Sequence, residues 1–156
     1  MKRLEFARGI WPSLMDDVRR RGAGVRESGA FLLGHMTEEA RVVEKWVAYE
    51  DLDLGALNFE YVRLETGAFS RLWQHCESVG LEVVGDLHTH PFGPRQSASD
   101  RANPMISIAG HVALIVPRFA QGDVRPQDLS LNVYQGNKRW LNLFGAQAAA
   151  QMRIVE

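Results

Sequence analysis

The stretch "VVGDLHTHPFGPRQSASDRANP", residues 83–104, decides how the rest of the chain is interpreted. It continues an apolar run that starts at residue 81, and such a run is typical of a buried strand. Side chains two residues apart on a strand share a face, so His88 and His90 point the same way and Asp86 shares that face. Two imidazoles on one face can bind one metal ion. The stretch therefore raises two alternatives, a metal site or a polar turn.

The residues after the histidines predict a turn and then a short helix. Residues 91–96, "PFGPRQ", contain two prolines and a glycine, which make the chain leave the strand. Ser97 and Asp100 follow in the pattern of a capped helix start. A helix beginning here would direct both side chains back at the histidines, and Pro104 would cut it short. Two imidazoles and one carboxylate leave an open position on zinc, which is the catalytic arrangement.

A catalytic zinc site also needs a general base, and glutamate is the usual choice. Spacing alone does not choose among the candidates in this chain. They are Glu27, Glu38, Glu44, Glu60, Glu65 and Glu82.

The rest of the chain predicts an α/β fold with a mixed central β-sheet flanked by helices. Strands are expected over residues 3–7, 28–36, 40–50, 81–90 and 111–117, in a hairpin over 129–144 that turns at 135–137, and at 152–156. Helices are expected over 11–24, starting at Pro12 or Ser13, and over 66–79. Trp73 and Cys76 fall on the apolar stripe of the second helix, and Trp140 is also expected in the core.

Composition narrows the class of protein. A chain of 156 residues with 46% hydrophobic and 24% charged residues suggests a single domain, residues 1–156. A net charge of −1 gives no general attraction to nucleic acid or to anionic membranes. The single cysteine suits a reducing compartment, and no apolar run approaches the length of about 18 residues that spans a bilayer. The sequence therefore predicts a cytoplasmic protein that binds neither nucleic acid nor membrane.

Three pieces of the sequence together resemble the JAMM (MPN+) zinc metalloproteases, also known as JAB-domain proteases. They are "ESGAFLLG" at residues 27–34, "GDLHTHP" at 85–91 and "SASD" at 97–100. The family's signature is a glutamate, then His-Ser/Thr-His-Pro, then Ser-x-x-Asp. Each piece alone would be weak, but the combination is specific. The resemblance extends over residues 3–145 and implies a cytidine-deaminase-like fold, which agrees with the predicted order of elements.

The resemblance also implies a role for each residue of the signature. His88, His90 and Asp100 would bind Zn²⁺. Glu27 would take a proton from the zinc-bound water and pass it to the leaving amine, and Ser97 would donate a hydrogen bond to the oxyanion. One departure concerns the loop: six residues separate His90 from Ser97, where the family has seven. We interpret this as a one-residue deletion, which affects the assignment of Ser97 more than that of Asp100.

Family members hydrolyse the bond after the C-terminal glycine of ubiquitin or a ubiquitin-like protein. The compact bacterial relatives, which this chain most resembles, are found beside E1-like and E2-like proteins, including in antiphage operons. The resemblance thus implies an isopeptidase that removes conjugates or processes precursors. Its partners would be a ubiquitin-like protein or its conjugate and the E1-like and E2-like proteins of the same operon. Residues 51–65 would flank the cleft and help to hold the modifier's extended tail.

Three alternatives remain beside this interpretation. The segment from Asp86 to His90 also resembles the start of a PHP-type metal phosphoesterase, but that fold is a large barrel with more histidines downstream. A non-catalytic MPN scaffold would have lost its metal ligands, whereas this chain keeps them. A RadC-like association with nucleic acid receives no support from the charge balance. Asp86 itself would be a hydrogen-bonding partner of a ligand or an alternative ligand.

Overall fold

The structure, a computed structural model, describes residues 1–58 and 62–156. The strands are β1 (Arg3–Phe6), β2 (Gly29–Met36), β3 (Ala40–Ala48), β4 (Glu82–Thr89), β5 (Val112–Val116), β6 (Ser130–Gly136), β7 (Arg139–Phe144) and β8 (Met152–Ile154). The helices are α1 (Ile10–Gly22), α2 (Tyr49–Leu52), α3 (Thr66–Val79), α4 (Ala98–Ala102) and α5 (Gly145–Ala150). None of the helices in these described ranges is both long and apolar enough to cross a membrane.

The strands form one mixed sheet in the order β7-β6-β5-β4-β2-β3-β1-β8. Strand β4 lies inside this sheet, antiparallel to β2 and parallel to β5. Such a strand is covered on both faces, which explains its apolar composition. The predicted mixed central sheet with flanking helices is confirmed. An open order with β7 and β8 at its edges does not match the closed barrel that the phosphoesterase alternative requires.

Alternating side chains place the two faces of the sheet in two separate cores. One core joins the sheet to α1 and α5 and contains Leu14, Val18 and Leu87. The other joins it to α2 and α3 and contains Phe31 and the following buried residues: Tyr49, Leu72 and Cys76. The expected burial of Cys76 is thus observed. The predicted burial of Trp73 is wrong, because this side chain is 50% exposed at the margin of the α3 stripe.

Several predicted boundaries need correction. Helix α1 begins at Ile10 rather than at Pro12 or Ser13, because Gly9 adopts a left-handed conformation (φ 80°) that turns the chain into the helix. Proline is tolerated in this first turn. Strand β3 ends at Ala48, and α2 takes up residues assigned to the strand. The hairpin turns at Asn137 and Lys138, both with positive φ, as a two-residue turn between twisted strands requires.

Candidate metal centre

Three side chains converge at the carboxyl end of β4. The Nε2 atoms of His88 and His90 lie 3.1 Å apart. The carboxylate of Asp100 lies 3.3 Å from the first of these nitrogens and 3.0 Å from the second. The strand therefore places both imidazoles on one face, as the sequence predicts, and the first turn of α4 brings the carboxylate to them.

This triangle fits a zinc ion. Ligands at about 2.05 Å from a tetrahedral ion are separated from one another by about 3.3 Å. This is close to the 3.1 Å between the two nitrogens and to the 3.3 Å and 3.0 Å at which Oδ1 and Oδ2 of Asp100 meet His88 and His90. Two unprotonated imidazole nitrogens that face each other repel, so the pair needs either a proton or a cation between them. Two nitrogens and one carboxylate oxygen are ligands that zinc takes in catalytic sites, and the residues present therefore fit the metal.

Glu27, two residues before strand β2, approaches the same point. Its carboxylate and the two imidazoles offer atoms that lie within 4.8 Å of one another. Strand pairing explains the approach, since Gly29 is directly opposite His88 in the β2–β4 register. Ser28 and Thr89 then fix the strand ends. The Ser28 N–H donates to Thr89 Oγ1 at 2.9 Å, and the Thr89 N–H donates to the Ser28 carbonyl at 2.8 Å.

A glycine at position 29 is required by this close approach. A Cβ atom built there would lie 2.3 Å from the carbonyl oxygen of Leu87, 2.6 Å from Cε2 of Tyr49 and 3.0 Å from Cα of His88. The first of these contacts is with main chain, which cannot move without disturbing the β2–β4 ladder. The small residue thus sets how near Glu27 can come to the histidines.

The carboxylates of Glu27 and Asp100 both lie beside the imidazoles, and their pKa values are shifted in opposite directions. Burial raises the pKa of Glu27, against the opposing effect of His88 and His90. Burial also acts to raise the pKa of Asp100, but its hydrogen bonds to the two histidines outweigh this and hold that pKa well below its usual range. Asp100 contacts both rings and stays ionised, which suits a ligand. Glu27 lies further away with an elevated pKa, which suits a base.

His88 shows the reciprocal effect. Burial of its ring acts to lower its pKa, but the hydrogen bond and the charge of Asp100, with smaller contributions from Asp86 and Glu27, raise the pKa overall. The arrangement therefore stabilises a positive charge, carried by a proton or a metal ion, between the imidazoles and the carboxylates.

Asp86 lies below the histidines on the same face of β4, and its partner is His111. Its Oδ2 is 2.6 Å from His111 Nε2, and both residues are buried. The nearby Tyr49 hydroxyl is buried and interacts with the Asp86 carboxylate, although their contact falls short of full hydrogen-bond geometry. Burial and the charge of Asp86 raise the pKa of Tyr49. Asp86 is thus occupied by a second buried histidine, which argues against its use as a zinc ligand.

Ser97 forms the N-cap of α4. Its Oγ accepts a hydrogen bond from the Asp100 N–H at 3.0 Å, and its own N–H donates to Asp100 Oδ2 at 2.9 Å. The predicted capping pattern is present, and it fixes the carboxylate that faces the histidines. Ser97 is exposed, and the structure gives it no contact with either imidazole.

His88 and Asp100 border a cleft of about 400 Å³. Glu27, Asp86, His88 and Asp100 line its polar end. Its other walls combine polar and apolar side chains. The apolar ones are Val62, Leu64, Phe69, Pro104, Met105, Ala113 and Trp140, and the polar ones are Arg63, Gln96, Ser99 and Asn103. The described part of segment 51–65 therefore does contribute to the cleft, while residues 59–61 lie outside the described residues. Glu60, one of the candidate bases, is among these three residues.

A second hollow of about 820 Å³ lies along α1, away from the histidines. It is more open and is lined by charged groups that pair with one another, such as Arg21 with Asp17 and Asp51. These charges neutralise each other and no histidine among the described residues lines the hollow, so it lacks the nitrogen ligands of the cleft. We therefore place the candidate site in the cleft.

Two features of the site were not predicted from the sequence. Trp140 was expected in the core, but it lines the cleft and donates a hydrogen bond to the Arg101 carbonyl. Asn142 contacts Arg101 and Gln96, which flank the ligand-bearing turn. The local signal for Asn142 was its position as a polar residue within the otherwise apolar residues 140–144.

Comparisons with known proteins agree with this fold. The chain resembles the solution structure of protein DSY2949 from Desulfitobacterium hafniense at 15% identity and a TM-score of 0.68, over 98% of this chain and 93% of that one. It also resembles the solution structure of a protein from Salinibacter ruber at 21% identity and a TM-score of 0.56, over 92% and 88% of the two chains. At these identities the likeness supports the fold alone.

The family comparison goes further than the solved structures. The model of prokaryotic homologs of the JAB domain matches residues 12–130, a range that contains Glu27, both histidines and Asp100. The JAB resemblance read from the sequence motifs is thereby confirmed. Because the match covers most of the chain, the protein belongs to the family of prokaryotic homologues of the JAB domain.

Proposed function

We propose that this protein is a zinc-dependent metalloprotease that hydrolyses the bond after the C-terminal glycine of a ubiquitin-like protein. The observation that carries the proposal is the convergence of His88, His90 and Asp100 with Glu27 beside them. A scaffold without activity would not need three metal ligands and a separate carboxylate of raised pKa in one cleft. The activity would remove conjugates or process precursors.

Each residue has a defined task in this proposal. His88, His90 and Asp100 hold the metal, and a zinc ion in such a set polarises a carbonyl and acidifies water at neutral pH. Glu27, whose pKa is raised by burial, accepts a proton and delivers it to the leaving amine. Ser97 uses its hydroxyl oxygen as an acceptor for the Asp100 N–H, which leaves the O–H free to donate to the oxyanion.

The shape of the cleft supports an extended peptide as substrate. Its polar end holds the reacting groups, whereas Val62, Leu64 and Phe69 offer apolar side chains further along. An extended tail with apolar residues before a terminal glycine matches this distribution of polarity. Main-chain hydrogen bonds from the flanking segment would add affinity without demanding a particular sequence.

The partners and the setting of the enzyme belong to the same proposal. A ubiquitin-like protein or its conjugate is the substrate, and E1-like and E2-like proteins of the same operon, including an antiphage operon, supply the conjugates. The enzyme acts as one domain in the cytoplasm. A neighbouring set of genes for these proteins would support this assignment.

Fusions of several ubiquitin-like proteins to a reporter test the proposal. Zinc-loaded protein is expected to cut each recognised fusion directly after the modifier's terminal glycine, as mass spectrometry of the products would show. A matched fusion in which that glycine is replaced by valine should resist. Complete resistance of all fusions with zinc bound would contradict the proposed substrate class and favour a peptidase of another kind or a binding role.

A further inference from the structure

Helix α4 carries Asp100 but has no core of its own. It is five residues long and none of its residues is buried. Isolated helices of this length are unstable in water, so something other than apolar packing must hold the carboxylate beside the histidines. The capping box at Ser97 fixes the helix start but connects α4 only to itself.

The sheet below α4 presents a buried polar surface. Ser130 and Asn132 on β6 are fully buried, and they alternate with core residues Leu131 and Val133. The Nδ2 atom of Asn132 donates to the Ala113 carbonyl at 3.0 Å and to Ser130 Oγ at 2.9 Å. Buried polar groups require such partners. With both donors used, the Oδ1 atom of Asn132 remains available to an adjacent group.

Asn142 on β7 connects this surface to the ligand-bearing segment. Its Nδ2 donates to Asn132 Oδ1 at 2.7 Å and to Gln96 Oε1 at 2.8 Å. Its Oδ1 accepts a hydrogen bond from Arg101 Nη1 at 3.0 Å. One side chain thus binds the residue before Ser97 and the residue directly after Asp100.

Two main-chain contacts strengthen the same connection. Trp140 Nε1 donates to the Arg101 carbonyl at 3.0 Å. The Ser130 hydroxyl donates to the Pro94 carbonyl, at the start of the segment. The segment from residue 94 to residue 101 is therefore bound to β6 and β7 at both ends, and Asp100 lies between the attachment points.

We propose that Gln96, Arg101, Asn132 and Asn142 form a polar clamp that positions Asp100 for zinc. The inference rests on the proposed function only in taking Asp100 as a zinc ligand. The clamp residues are positioning residues, because they act on the metal through Asp100. Hydrogen-bonded partners of ligands commonly change metal affinity by about 10- to 100-fold when removed. The clamp residues bond to neighbours of Asp100 rather than to its carboxylate, and Arg101 is exposed, so the lower end of that range applies here.

Zinc affinity of the full chain, measured by competition with a chromophoric chelator, tests the clamp. Arg101→Ala and Asn142→Ala are each expected to weaken zinc binding about tenfold. The double variant should be little weaker than Asn142→Ala, because that substitution already removes the contact with Arg101. Arg101→Lys retains a donor and should recover part of the affinity. Arg153→Ala, which removes an arginine paired with Glu5 near the opposite edge of the sheet, is the control and should bind like wild type.

Two further measurements make the result decisive. The thermal midpoint of zinc-free Arg101→Ala should match that of the zinc-free wild type, and its hydrogen exchange should accelerate in residues 94–103 alone. Zinc-free Asn142→Ala should melt somewhat lower, because it leaves the buried Asn132 Oδ1 without its donor. Wild-type affinity in both folded alanine variants would overturn the clamp while leaving the proposed function intact. A wild-type protein that binds zinc and cuts no fusion would instead overturn the function, with the clamp still judged by affinity.

Discussion

The two halves of the metal site are built in different ways. The strand half, with Glu27, His88 and His90, lies between paired strands and is fixed by main-chain hydrogen bonds such as that from the His90 N–H to the Val116 carbonyl. The helix half, with Ser97 and Asp100, lies on an exposed helix that only polar contacts attach to the sheet. The strand half therefore belongs to the core of the fold, and the helix half lies on its surface.

This difference separates stability from metal binding. A change in the strand half disturbs the β2–β4 ladder and should therefore lower the free energy of unfolding. A change in the helix half disturbs few buried groups, so it should lower zinc affinity with little effect on folding.

The largest effect is expected for Glu27→Gln. The substitution keeps the size of the side chain but removes the proton acceptor, so kcat should fall by about 10²- to 10⁴-fold with zinc content unchanged. Cleavage of a recognised fusion and metal analysis of the same sample measure both. Glu44→Gln, an exposed residue that pairs with His35, is the matched control. An active Glu27→Gln protein would place the base elsewhere, and loss of zinc would make Glu27 a ligand.

The two halves can be compared directly through a pair of glycines. Gly29→Ala introduces a Cβ atom 2.3 Å from a main-chain oxygen, and it should cost about 1–3 kcal/mol or more in the free energy of unfolding. Gly93→Ala, in the loop before α4, adds a Cβ with no atom within 4 Å and should be nearly neutral. Urea unfolding of both variants measures the difference. Equal costs at the two positions would contradict the contrast between the halves.

The smallest effect is expected for Ser97→Ala. Loss of an N-cap costs about 1 kcal/mol, and the exposure of α4 keeps the effect on global unfolding at or below that value. Zinc affinity should fall severalfold, because the cap also fixes Asp100. Ser70→Ala, at an exposed position of α3, controls for the change of serine to alanine. A Ser97→Ala protein that unfolds far more easily than wild type would show that α4 belongs to the core.

The sequence predicted the parts of the site that depend on local rules. Alternation along a strand places His88 and His90 on one face, and the Ser-x-x-Asp pattern gives the capped start of α4. Residue spacing could not select Glu27 among six glutamates, because its position depends on the pairing of Gly29 with His88, far along the chain. Only the resemblance to a family selected it.

The residues of the polar clamp could not be predicted from local sequence patterns either. Asn142 meets Arg101 across 41 positions of sequence, and Asn132 meets Asn142 through the register of β6 and β7. Nothing in the local pattern of a strand specifies what lies above its polar side chains. Trp140 was misassigned for this reason, since an aromatic residue in an edge strand is equally consistent with a core and with the wall of a cleft.

Zinc content most directly tests the central claim that His88, His90 and Asp100 form a metal centre. Purified protein, analysed by inductively coupled plasma mass spectrometry after zinc reconstitution and desalting, should carry about one zinc per chain, as a mononuclear catalytic site requires. His88→Ala and Asp100→Ala should carry almost none, while His35→Ala, at an exposed histidine, should match wild type. Wild-type protein without metal, or variants that retain it, would contradict the account.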